Sequence, residues 1–133
     1  MGYTLSTTVH RPFTEVLGAT RDALKDEGFG ILTEIDLADT LMTKIGAEIP
    51  PQVILGACRP PLAHAATLAE PSIGVFLPCN VVVRAGDGDT TVVEAMDPDA
   101  MVRVTGNEAL AEVAADAAQR ISRALARLSA HDA

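Results

Sequence analysis

An α+β fold, with a largely antiparallel sheet covered on one face by two long helices, follows from three features of this sequence. Two stretches alternate apolar and polar residues with a period of two, at residues 3–10 and 29–37. Two others, beginning near Phe13 and Leu110, repeat their apolar residues at helical spacing. Gly28, Gly46, Pro50-Pro51, Pro60-Pro61 and Gly86-Asp87-Gly88 punctuate the chain between elements.

In the first strand, Tyr3, Leu5, Thr7 and Val9 oppose Thr4, Ser6, Thr8 and His10. Pro12 then suits a first helical turn, where its missing N–H is no loss. Phe13, Val16, Leu17, Thr20 and Leu24 form the buried stripe of the first helix, and Gly28 stops it. The strand from Phe29 to Leu37 is followed by a short helix from about Asp39, as N-cap, to Ile45, with Gly46 as the stop. Pro50-Pro51 breaks the chain. Val53 to Cys58 is an unbroken apolar run, as expected of a strand covered on both faces.

Pro60-Pro61 opens another short helix through Ala69, carrying Leu62, Ala65, Ala66 and Leu68, and Pro71 closes it. Val75-Phe76-Leu77 and Val81-Val82-Val83 flank Pro78-Cys79-Asn80, which reads as one long interrupted strand. Proline inside it argues for a sheet edge or a bulge. Gly86-Asp87-Gly88 is a hairpin turn, and Thr90 to Ala95 returns as the partner strand. Asp97-Pro98 begins a turn that extends as a single helical turn through Arg103. Asn107 can cap the longest helix, whose stripe is Leu110, Val113, Ala117, Ile121, Leu125 and Leu128; the tail after Ser129 is expected to fray. No linker or repeat divides the 133 residues, so one domain, residues 1–133, is expected.

Composition narrows the function classes. With only Tyr3, Phe13, Phe29 and Phe76 as aromatics, the core must be aliphatic, and stacking platforms for single-stranded nucleic acid are scarce. The net charge of −8, with no lysine or arginine run, disfavours nucleic acid and anionic membranes as partners. No apolar run approaches the roughly 20 residues of a membrane span. With no signal-peptide pattern and two cysteines, a cytoplasmic location with both thiols reduced is expected.

A family resemblance rests on Ile54-Leu55-Gly56-Ala57-Cys58-Arg59-Pro60-Pro61-Leu62-Ala63-His64 and, after it, Gly74-Val75-Phe76-Leu77-Pro78-Cys79-Asn80-Val81-Val82-Val83. Gly28-Phe29-Gly30 and Thr33-Glu34-Ile35-Asp36 precede these motifs and Asp97-Pro98 follows. The chain resembles, over nearly its whole length, the family called domain of unknown function 302. The resemblance implies a β-α-β(4)-α arrangement like that of the TATA-box-binding-protein fold, here with two short helical insertions, and a homodimer. It carries no activity. Many relatives have asparagine where this chain has Arg59, and a cation there favours an anion.

Chemistry is expected at the junction of Cys58 with the following helix. A helix start carries partial positive charge and unpaired N–H groups, and Arg59 adds a full charge, both of which favour a thiolate. Three functional readings follow. The first is a small-ligand or partner-binding module centred on Cys58-Arg59-Pro60-Pro61, with Arg59, Pro60, His64 and Asn80 as ligand-binding residues and a small anion as the candidate ligand. The second is a thiol-dependent sulfur or redox protein, with Cys58 as catalytic nucleophile and Cys79 resolving. The third is a metal-binding protein using Cys58, His64 and Cys79, although their spacing matches no paired-cysteine zinc motif. Neither a resident metal nor a cofactor can be assigned from these residues. Gly86-Asp87-Gly88 leads into no helix and so is no phosphate loop, and Asp97-Pro98-Asp99 lacks the further oxygens of a calcium loop. Glu34 and Asp36 share a strand face but read as a solvated sheet edge.

Overall fold

The computed structural model describes residues 2–130. Five strands form one antiparallel sheet in the order β1-β5-β4-β3-β2. Strand β1 spans Thr4–Val9, β2 Gly30–Asp36, β3 Gln52–Cys58, β4 Cys79–Ala85 and β5 Thr91–Met96. Between them lie helices α1 (Phe13–Asp26), α2 (Leu37–Ile45) and α3 (Pro60–Ala69), and after them α4 (Asp99–Thr105) and α5 (Ala111–Ala130). This is the α+β architecture that the alternation of periods two and 3.6 predicts.

Helices α1 and α5 lie on the same sheet face. Val16, Ala23 and Leu24 of α1 and Ile121, Ala124, Leu125 and Leu128 of α5 form one core with Val9, Val53, Leu55, Ala57, Val81, Val83, Val93 and Ala95. Those strand residues alternate along each strand, so one face is apolar and packed, as a pleated sheet requires. Gly28 ends α1 as expected. Its φ of 88° places it in the left-handed region, where glycine meets no Cβ penalty. That turn lets the Gly28 N–H reach the Lys25 carbonyl and the Phe29 N–H the Leu24 carbonyl. The end of α1 is fastened to α5 by ions. Glu27 is buried, accepts from Arg123 Nε at 3.0 Å and faces Arg127, while Arg120 donates to the Glu27 carbonyl at 3.1 Å.

Five expectations need correction. The cap of α2 is Asp36, whose carboxylate accepts from the Asp39 N–H at 2.9 Å, so the helix begins two residues before Asp39. Strand β3 is not covered evenly on both faces: Val53, Leu55 and Ala57 are buried against the helices, whereas on the other face Gly56 is buried beside Thr33 and Pro78 but Ile54 is only half-buried. Residues 71–76 form a 3-10 turn rather than the start of a long strand. Strand β4 starts at Cys79 and lies inside the sheet, because Pro78 precedes the ladder and removes no hydrogen bond from it. Finally, α4 runs on to Thr105 and is stopped by left-handed Gly106, beyond the single turn expected through Arg103. The expectation of a frayed tail falls mostly on residues 131–133, outside the described residues; Ser129 and Ala130 are helical.

A second, smaller apolar cluster forms where α3, the 3-10 turn, α4 and α5 meet. Ala66, Ile73, Met101 and Leu110 are its buried centre, with Leu77 and Val113 packed against it. Asn107 ties this cluster together. Its side-chain oxygen accepts from the Ala109 N–H, and its nitrogen donates to the Ala69 carbonyl and to Glu70 Oε1, at 2.9 and 3.0 Å. The sequence places Asn107 as the cap of the longest helix; it caps the 3-10 turn Glu108–Leu110 that leads into α5, and the same side chain also pins the end of α3. Among the described residues, no helix is long and apolar enough to cross a membrane.

Candidate functional site

A cavity lies between the two apolar clusters, at the sheet end where β3 finishes and β4 begins. Its walls come from Phe29, Ala57, Cys58, Arg59, Leu62, Ala63, Ala66, Leu77, Cys79, Met101, Val113 and Ala117. The space open to the centre of a water-sized sphere is about 30 Å³. About 10–15 Å³ of such space holds one water, so two or three water-sized positions fit.

Antiparallel pairing brings the two thiols to this cavity. Ala57 faces Cys79 in the register of β3 and β4, so Cys58 stands one residue beyond the paired position. Both cysteines are free. Cys79 is buried, and burial pushes its thiol up from 9.0 to about 11, with the neighbouring Cys58 adding a smaller push in the same direction. At pH 7 such a thiol is ionised in only about one molecule in ten thousand, which makes Cys79 a poor resolving nucleophile.

The expected helix-start donors are absent. Pro60 and Pro61 occupy the first positions of α3 and carry no N–H. The next two amides, of Leu62 and Ala63, both bond to the Arg59 carbonyl at 3.0 Å. The positive charge at this junction therefore comes chiefly from Arg59. Its side chain lies along Gly28, where a Cβ would come within 3.0 Å of Nε. That Nε is buried and has no hydrogen-bond partner. Among the described residues, every other arginine has a hydrogen bond or ion pair: Arg11, Arg21, Arg84, Arg103, Arg120, Arg123 and Arg127 all do. Arg59 alone has none.

Of the six residues singled out in the sequence, the structure brings Cys58, Arg59 and Cys79 together on the cavity wall. Pro60, His64 and Asn80 are exposed and line no part of it. Among the described residues, no group of three His, Cys, Asp or Glu side chains could hold a metal, so the set Cys58, His64 and Cys79 is not a ligand cluster. His64 is exposed and is not part of the cavity wall that carries the two sulfurs. The carboxylates on β2 are likewise occupied, Glu34 by Arg21 and Asp36 by its capping bond.

Sequence reasoning missed most of the walls. Phe29, Leu77 and Met101 come from three separate segments, and no spacing rule links them. Val113, Ala117, Leu62 and Ala66 were visible only as helix stripes, and a stripe does not show which of its members fills space and which borders a void.

The domain of unknown function DUF302 matches residues 5–128. Among solved structures, an uncharacterized conserved DUF302 protein from Bacillus stearothermophilus is similar, with a TM-score of 0.90 and 30% identity. That likeness covers 96% of this chain and 99% of the other. Among curated proteins none matches.

Proposed function

Since the chain belongs to the DUF302 family, a domain of unknown function, its own site has to supply the reading, and we propose a binding module for a small anion at the Cys58–Pro61 junction. The observation that carries this reading is Arg59: an arginine without any partner, in a chain of net charge −8, on the wall of a cavity. An anion on the unbonded terminal nitrogens of Arg59 would form charge-assisted hydrogen bonds, which are worth about twice a neutral one. The two thiols are then wall groups, with Cys79 held neutral by its burial.

Thermal shift with a panel of small anions tests this. At tenfold excess over its Kd, a ligand adds about 1.4 kcal/mol of stability, or about 5 °C for a chain this size. Arg59→Gln is expected to remove the shift. A wild-type protein that responds to no anion would end the proposal.

The reading includes a homodimer formed through the sheet face that α1 and α5 leave open. The register sets Ile35 beside Ile54 and Ile54 beside Val82, an apolar row across three strands. Ile35 is 46% exposed in the single chain, and a second copy would cover the row. Sedimentation equilibrium decides between one copy and two. Free cysteines fit the reducing cytoplasm in this reading.

A further inference from the structure

Resting on the anion-binding reading, we infer that the cavity takes a short aliphatic monocarboxylate, with its carboxylate on Arg59 and its carbon chain in the cavity. Three observations choose this class. The first is charge. Arg59 is the one ionic group on the wall, and Cys79 is neutral at physiological pH, so the site matches one negative charge.

The second is donor geometry. Phosphate sites at helix starts use several free backbone N–H groups around a tetrahedral anion. Pro60 and Pro61 remove two of these donors, and the Arg59 carbonyl takes the next two. A guanidinium alone suits a planar carboxylate, which it grips with two parallel hydrogen bonds. The two terminal nitrogens of Arg59, which no group among the described residues bonds, supply such a pair, while the buried Nε holds the side chain against Gly28.

The third is size and polarity. Apart from the guanidinium and two thiols, the wall is Phe29, Leu62, Leu77, Met101, Val113 and four alanines. Its 30 Å³ of free space accepts two or three atoms of water size. With the carboxyl carbon at the mouth, this corresponds to propionate or butyrate.

The test is an amide NMR titration of the full chain with acetate, propionate, butyrate and hexanoate, and with butyramide and inorganic phosphate. Each methylene from acetate to butyrate is expected to tighten binding about fourfold, the worth of one buried CH₂. Hexanoate gains nothing further. Butyramide, which lacks the charge, binds at least tenfold more weakly than butyrate, and Arg59→Gln weakens butyrate to the same degree. Arg59→Lys retains part of the affinity, and Ala63→Leu, which fills the cavity, removes the dependence on chain length. Phosphate binding at Arg59 more tightly than butyrate would overturn the carboxylate assignment and leave the anion reading standing. Equal binding of butyramide and butyrate, or no binding by any probe, would overturn both.

Discussion

Raising the pH from 8 to 11.5 should destabilise this fold through one buried thiol. Cys79 ionises near 9.0 when unfolded and at about 11 in the native structure, chiefly because its sulfur is buried beside Ala57 and secondarily because Cys58 is near. The folded value is the raised one. Below pH 9 both states keep the proton and the stabilisation is fully present. Between 9 and 11 the unfolded chain releases its proton first, and the stabilisation is lost. At 1.36 kcal/mol per pH unit, the displacement is worth about 3 kcal/mol. Alkaline pH acts on the rest of the chain as well, so the measurement is a difference. Urea unfolding of the wild type and of Cys79→Ala is followed from pH 8 to 11.5. The wild type should lose about 3 kcal/mol more than the variant, with Cys58→Ser giving a slightly smaller loss than wild type. Parallel pH curves for wild type and Cys79→Ala would refute a buried, neutral Cys79 and with it the dry cavity wall.

Two further perturbations test the scaffold around the site. A Cβ on Gly56 would collide with Thr33 Oγ1 and lie 2.8 Å from Pro78 Cγ, so Gly56→Ala should cost about 1–3 kcal/mol in thermal unfolding, and a change below about 0.5 kcal/mol would contradict that packing. If two copies meet through the open sheet face, Ile54→Glu should yield a folded monomer by sedimentation, whereas a dimer unaffected by it would place the interface elsewhere.

The fold was legible because its signals are local. Gly28, Gly46 and Asn107 mark element ends through backbone conformation or a side-chain cap, and each does so where its residue type predicts. The stripe from Leu110 to Leu128 is buried apart from half-exposed Val113. Misreadings occurred where tertiary context decides. Val75 looks like strand, yet it is 84% exposed in a 3-10 turn, because no sheet neighbour is available before Cys79. Ile54 looks like a residue buried on both sides, but α1 and α5 share one face. For the site, Cys58, Arg59 and Cys79 stood out as polar or reactive residues in apolar context, whereas His64 and Asn80 stood out for chemistry alone and their side chains face solvent.

The cavity itself is a consequence of alanine. Ala57, Ala63, Ala66 and Ala117 line it from β3, α3 and α5, and Leu in place of any one would project into it. An unfilled volume of 30 Å³ costs about 0.7 kcal/mol at 24 cal/mol per Å³, little against the stability of an ordinary domain. That cost is small enough to persist without a ligand and is recovered when one methylene enters. The smaller apolar cluster, held by Asn107, forms the far wall separately from the main core. A change in Ala63 or Leu62 can therefore resize the cavity while α1, α5 and the sheet keep their packing. Arg59 cannot be treated in the same way. With Pro60 and Pro61 unable to donate and the Leu62 and Ala63 amides taken, Arg59 is the cation of the cavity wall among the described residues, so in the proposed anion site charge recognition would rest on one side chain and size recognition on several.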